Sequence, residues 1–112
     1  MENPRDWDNL GKMVCLHRRY TLGDPHDLNP DDFKSWEELE DHLRHEGAKV
    51  ILPLFLLDHS GLRISVEPFG DPWDSGQVGF IYATKIEQSR QKTKEILISE
   101  VEEYDRYLSG EE

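Results

Sequence analysis

The sequence predicts an α+β fold, a mostly antiparallel sheet of about four strands with two helices, in the order β-α-β-β-β-α. Three observations lead to it. The apolar run VILPLFLL, residues 50–57, meets Asp58, His59, Ser60 and Gly61 and then continues as strict alternation, the pattern of a hairpin with one packed face. Residues 36–46 and the stretch ending at Leu108 repeat apolar side chains at helical spacing. Residues 12–20 and 78–83 are short β-branched and aromatic segments, each preceded by Trp, Asp and a glycine.

The first strand is expected in KMVCLHRRY, residues 12–20, followed by TLGDPHDLNPDD, a loop by its Gly, Pro, Asn and Asp content. Ser35 and Glu38 form a capping box, Trp36, Leu39 and Leu43 make one apolar stripe, and Gly47 is placed to end a helix over residues 36–46. In the hairpin, Leu62, Ile64 and Val66 face one way and Arg63, Ser65 and Glu67 the other. Pro53 cannot donate to a ladder, so it belongs at an edge or on a bulge. PWDSGQ reads as a loop before a strand at 78–83. Thr84 and Glu87 offer a second capping box, and Leu97, Val101, Tyr104 and Leu108 set the stripe of a last helix starting near Lys85 or Gln91. Both helices are expected on one face of the sheet.

The 112 residues make a single domain, 1–112, with 36% hydrophobic and 33% charged residues; the apolar ones are clustered, which favours a folded core over disorder. One cysteine, Cys15, excludes an internal disulfide and a multi-cysteine zinc site. No apolar run approaches the roughly 20 residues that span a bilayer, and no basic-then-apolar leader opens the chain. The expected location is the cytoplasm, away from membranes.

The formal charge is −11, and it is concentrated. Residues 21–46 hold nine acids against Lys34 and Arg44; residues 98–112 hold six against Arg106. Such a field repels nucleic acid directly and favours a basic partner. The acids expected to face that partner are Asp31, Asp32, Glu37, Glu38, Asp41, Glu100, Glu102 and Glu103.

A second candidate site is the pair of Trp-Asp loops. Trp7 and Asp8, with Trp73 and Asp74, can lie side by side at one sheet end and present a ligand loop with His17, Arg18, Arg19 and His59. The tryptophans can instead close the core while the aspartates pin Asx turns, with Trp73 turned inward and Asp74 partly exposed. His17, Asp24 and His26, with Asp58 or His59, are nitrogen and oxygen ligands suited to zinc, manganese or iron, though their spacing follows no metal motif. Cys15 and His17, two apart on a strand, share a face as a nucleophile and base would. Arg18 and Arg19 suit a phosphate or carboxylate, or the neighbouring aspartates. Neither GxxxxGK[ST] nor GxGxxG is present. No cofactor is expected.

Taken together, ENPRDWDNLGKMVC, HRRYTLGDPHD, LPLFLLDHSG and PWDSGQVGFIY resemble a group of small acidic proteins of phages, prophages and other mobile elements that carry no assigned activity. The resemblance implies a setting and no catalytic residue. With the charge map it leads to a non-enzymatic interaction protein, a charge mimic that blocks a host nucleic-acid-handling defence protein of the restriction or CRISPR kind. The alternatives are a small metal- or ligand-binding module or enzyme, and a viral assembly protein.

Overall fold

The hairpin foreseen at residues 50–67 forms the middle and one edge of the sheet in the computed structural model, which describes residues 2–110. β2 (Val50–Asp58) turns through Ser60 and Gly61, both at positive φ (56° and 131°), into β3 (Leu62–Ser65). β1 (Lys12–Cys15), α1 (Trp36–His45), β4 (Ser75–Ala83) and α2 (Arg90–Ser109) complete the expected order. The strands lie β1-β4-β2-β3, every neighbouring pair antiparallel.

The two helices pack on opposite faces, not on one. Met13, Cys15, Ile81 and Ala83 join the core under α2, with Leu97, Val101 and Tyr104, whereas Val14 and Phe80 join Leu39 and Leu43 of α1. Strand alternation accounts for this: β1 and β4 are apolar at consecutive positions, so both of their faces need cover. The covers are unequal. The 10 residues of α1 span about 15 Å against about 30 Å for the nine of β2, so the α1 side is only partly roofed.

Two local devices set the sheet. Opposite Leu54 and Phe55 the register slips, and Val78 is the extra residue on β4; it therefore faces the same core as Ile81, three positions on. Next to it, a Cβ on Gly79 would stand 1.8 Å from the Val14 carbonyl oxygen, so only glycine lets β1 lie against β4 here. Pro53 sits in a central strand, yet β3 ends at Ser65 opposite Phe55, so β3 does not reach Pro53 on the side of β2 away from β4.

The element bounds shift for physical reasons. β1 ends at Cys15, because residues 17–20 bend as the His17 Nδ1 accepts the Arg19 and Tyr20 amides. β4 starts at Ser75, since Gly76 and Gln77 already pair with Leu56 and Phe55. α2 is capped by Ser89, whose Oγ accepts the Lys92 amide at 3.0 Å, and not by Thr84 with Glu87. The buried Thr93 hydroxyl instead ties the approach, accepting the Glu87 amide and donating to the Ser89 carbonyl. In α1, Ser35 accepts the Glu38 amide as expected, but the Glu38 carboxylate returns to the Lys34 amide. No helix among the described residues is long and apolar enough to cross a membrane.

Candidate functional site

The sheet end where β2 turns into β3 gathers the second Trp-Asp loop. Asp71 organises it: its Oδ1 accepts the amides of Trp73 (2.8 Å) and Asp74 (3.0 Å), and the Ser75 hydroxyl donates to its carbonyl. Those two N–H groups, with a smaller contribution from His59, hold the Asp71 carboxyl below the ordinary carboxylate range. With its turn made by Asp71, Asp74 is left to meet His59, Oδ2 to Nδ1 at 2.9 Å, while its carbonyl accepts the Asp58 amide. Trp73 is not turned inward; 90% of it is exposed.

A polar cleft of about 290 Å³ lies beside this loop, with His17, Arg19, Asp58, Trp73, Asp74 and Gln77 in its lining. The Arg19 guanidinium reaches Asp58 at 2.6 Å and lies over the Tyr20 ring, 5.5 Å from its centroid. One half of the expected ligand loop is thus assembled. The ligand atoms of His59, Asp71 and Asp74 lie within 4.8 Å of one another, the only such group of three among the described residues. One imidazole and two carboxylates suit a divalent cation of the manganese or zinc type.

The other half is elsewhere. Because β1 runs antiparallel to β4, Lys12 sits opposite Tyr82, and the loop before β1 opens at the far end of the sheet from the loop before β4. The two Trp-Asp loops are therefore not side by side. Asn9, not Asp8, closes the first loop, donating to the Pro4 and Trp7 carbonyls, and Asp8 is exposed. Beneath it lies an ion network that no sequence motif announces. Arg5, buried, donates through Nε and Nη2 to both oxygens of Asp24 (2.9 and 2.8 Å) and to the Gly11 carbonyl. Its Nη1 lies 3.5 Å from Glu100, whose two oxygens accept the Leu10 and Gly11 amides. Burial disfavours the Arg5 charge, but Asp24 and Glu100 more than offset it and hold its pKa above the usual value.

This network removes Asp24 from any cation site, since its Oδ2 also accepts the Met13 amide. His26 is likewise committed: Nε2 faces the Cys15 carbonyl at 2.8 Å and so carries the proton, while Nδ1 accepts the Leu28 amide. The set His17, Asp24 and His26 does not assemble; the cluster lies at His59, Asp71 and Asp74. The Cys15 and His17 pairing also fails, for β1 ends between them. Burial first, then the Asp24 charge, pushes the Cys15 thiol up to about 12, opposite to what a nucleophile needs.

The acids divide by helix. Asp31, Asp32, Glu37, Glu38 and Asp41 are exposed and have no cation partner among the described residues. On α2, Glu100 is bound inward, Glu103 pairs with Arg106 at 3.3 Å, and Asp105 takes the Arg63 guanidinium and the Ile64 amide; of the expected three, only Glu102 projects without a cation partner among the described residues. Glu111 and Glu112 lie outside the described residues.

Asp71 is the site residue that the sequence reading missed; its signal was Asp-Pro two residues before Trp73, a turn-initiating pair. No family model, curated protein or solved structure matches the chain.

Proposed function

We propose that the protein is a non-enzymatic interaction module that docks the acidic surface around the start of α1 onto a basic partner. The observation that carries this reading is the set Asp31, Asp32, Glu37 and Asp41, exposed and unpaired while most acids of α2 are consumed within the fold. Glu37 and Asp41 are one helical turn apart and so share a face. Unpaired carboxylates cost nothing to strip of an internal partner, and they meet a basic groove with long-range attraction. The mobile-element setting implied by the sequence blocks makes a host restriction or CRISPR effector, with its nucleic-acid groove, the first target to test. Binding to such an effector should weaken steeply with added salt, be displaced by duplex DNA, and be lost in the variant Asp31→Asn, Asp32→Asn, Glu37→Gln, Asp41→Asn. Salt-insensitive binding that survives those substitutions would sink the reading.

The His59, Asp71 and Asp74 group favours a second reading, a divalent-cation module. Calorimetric titration with manganese or zinc tests it: one site per chain lost in Asp74→Asn supports it, and equal heats from both proteins dismiss it.

A further inference from the structure

A groove of about 410 Å³ runs between residues 16–18 and the start of α1; it shares only His17 with the Trp73 cleft and lies beside the acidic surface, whose carboxylates are not in its lining. Its apolar lining includes Phe33, Trp36 and Leu39. The aromatic walls are held in place: Trp36 stands edge-on to Phe80 at 6.1 Å, and Phe33 edge-on to His42 at 5.4 Å. Leu39, fully buried, lies beneath. The volume falls in the range of small-molecule sites.

The charge of the lining is the opposite of the charge of the chain. Acids outnumber Lys and Arg by 24 to 13, yet among the described residues no carboxylate lines this groove, while Arg18, Lys34 and His17 do. Arg18 and Lys34 have no carboxylate partner among the described residues, in contrast to the adjacent Arg19, which is held by Asp58. Glu38, in the first turn of α1, is turned to the Lys34 amide and does not line the groove. An apolar slot with two uncommitted cations complements a molecule with a flat apolar body and one anionic group: the body fits between Phe33 and Trp36, and the anion takes Arg18 and Lys34. We infer that this groove is a binding site for a small aromatic or polycyclic anion, a carboxylate, sulfonate or phosphate monoester.

The test uses 1-anilinonaphthalene-8-sulfonate as the anionic probe and N-phenyl-1-naphthylamine as its neutral counterpart, with the chain folded and at neutral pH. Saturable binding of one sulfonate probe per chain is expected, with amide shifts at Leu16, Phe33, Ser35 and Trp36 in NMR spectra. The double variant Arg18→Gln, Lys34→Gln should weaken the sulfonate by about tenfold and leave the neutral probe unchanged. Phe33→Ala should weaken both, and circular dichroism checks that each variant stays folded. Sulfonate binding unmoved by the double substitution overturns the inference. So does the absence of saturable binding; if Phe33→Ala then also abolishes docking of a protein partner, the groove belongs to that partner. The four acid substitutions of the docking surface remove negative charge beside the groove and so do not weaken the sulfonate probe, whereas they abolish partner docking; the two proposals therefore fail separately.

Discussion

Two acidic segments of similar density in the sequence do different things in the fold. Around the start of α1, Asp31, Asp32, Glu37 and Asp41 point to solvent with no cation partner among the described residues; on α2, Glu100 and Asp105 turn toward the protein and hold it. Glu100 fixes Leu10, Gly11 and Arg5, and Asp105 clamps β3 through Arg63 and the Ile64 amide. The cause lies in what each helix packs against. α2 lies over β3 and the Pro4–Asp6 turn, which bring an arginine and free backbone N–H groups within reach, whereas α1 packs against the sheet through the apolar cluster of Val14, Leu39, Leu43 and Phe80. Net charge alone therefore does not mark a docking surface; unsatisfied charge does.

The contrast breaks first at Glu100. Glu100→Ala leaves a buried guanidinium short of an anion and two amides without an acceptor, a loss of about 3–5 kcal/mol by urea unfolding. A loss under about 1 kcal/mol would mean that water replaces the carboxylate and that α2 acids are no more structural than those of α1. Asp105→Asn comes next, at about 1–2 kcal/mol, because Arg63 is half exposed and solvent already screens the pair. Neutralising Asp31, Asp32, Glu37 and Asp41 should move stability by no more than about 0.5 kcal/mol per site while abolishing partner binding. If that variant unfolds, those acids are structural and the contrast between the helices is gone.

The same difference explains what the sequence disclosed. The hairpin, the α1 cap and the Leu97, Val101, Tyr104 stripe rest on neighbours along the chain, and they were legible. The placement of helices on opposite faces was also encoded, in the consecutive apolar pairs Met13 and Val14, Phe80 and Ile81, but the alternation rule reads a single packed face and passes over them. Arg5 with Asp24 and Glu100, and His59 with Asp71 and Asp74, join residues 12 or more positions apart. Apart from the Asp-Pro pair at Asp71, nothing in local spacing distinguishes such a carboxylate from a solvated one. The echo of the two Trp-Asp loops was real as sequence, but antiparallel pairing of β1 and β4 carries them to opposite ends.

Those loops sharpen the comparison on a smaller scale. The first is closed over a buried ion network; the second leaves Trp73 in solvent. Trp73→Ala should therefore change the melting temperature by less than the error of a typical scan, where a buried tryptophan would cost about 3–5 kcal/mol. A marked loss would place Trp73 in the core after all. Acidification tests the turn beneath it. The Asp71 carboxyl titrates below its ordinary 3.8, so its stabilisation is fully present above that value and is lost as pH falls through the depressed one. Asp71→Asn should flatten that low-pH limb of the stability curve, and an unchanged limb would remove Asp71 as the organiser of the loop.

Cys15 carries the smallest effect, and its sign is opposite. The folded thiol titrates near 12 against 9.0 for the free group, so the folded chain holds its proton where the unfolded chain has released it. Below pH 9 both states are protonated and the group adds no pH dependence; above it, ionisation favours the unfolded chain, and stability declines until the folded thiol itself ionises. Replacing Cys15 by Ala should remove that alkaline decline while costing some packing in the core under α2 at every pH. Thiol reagents supply the second readout: at pH 8 the native chain should react far more slowly than the urea-unfolded one. Equal rates would mean that the sulfur is reachable as a thiolate, and that the sheet end near Cys15 opens in a way the packing against Gly23 and Tyr104 does not allow.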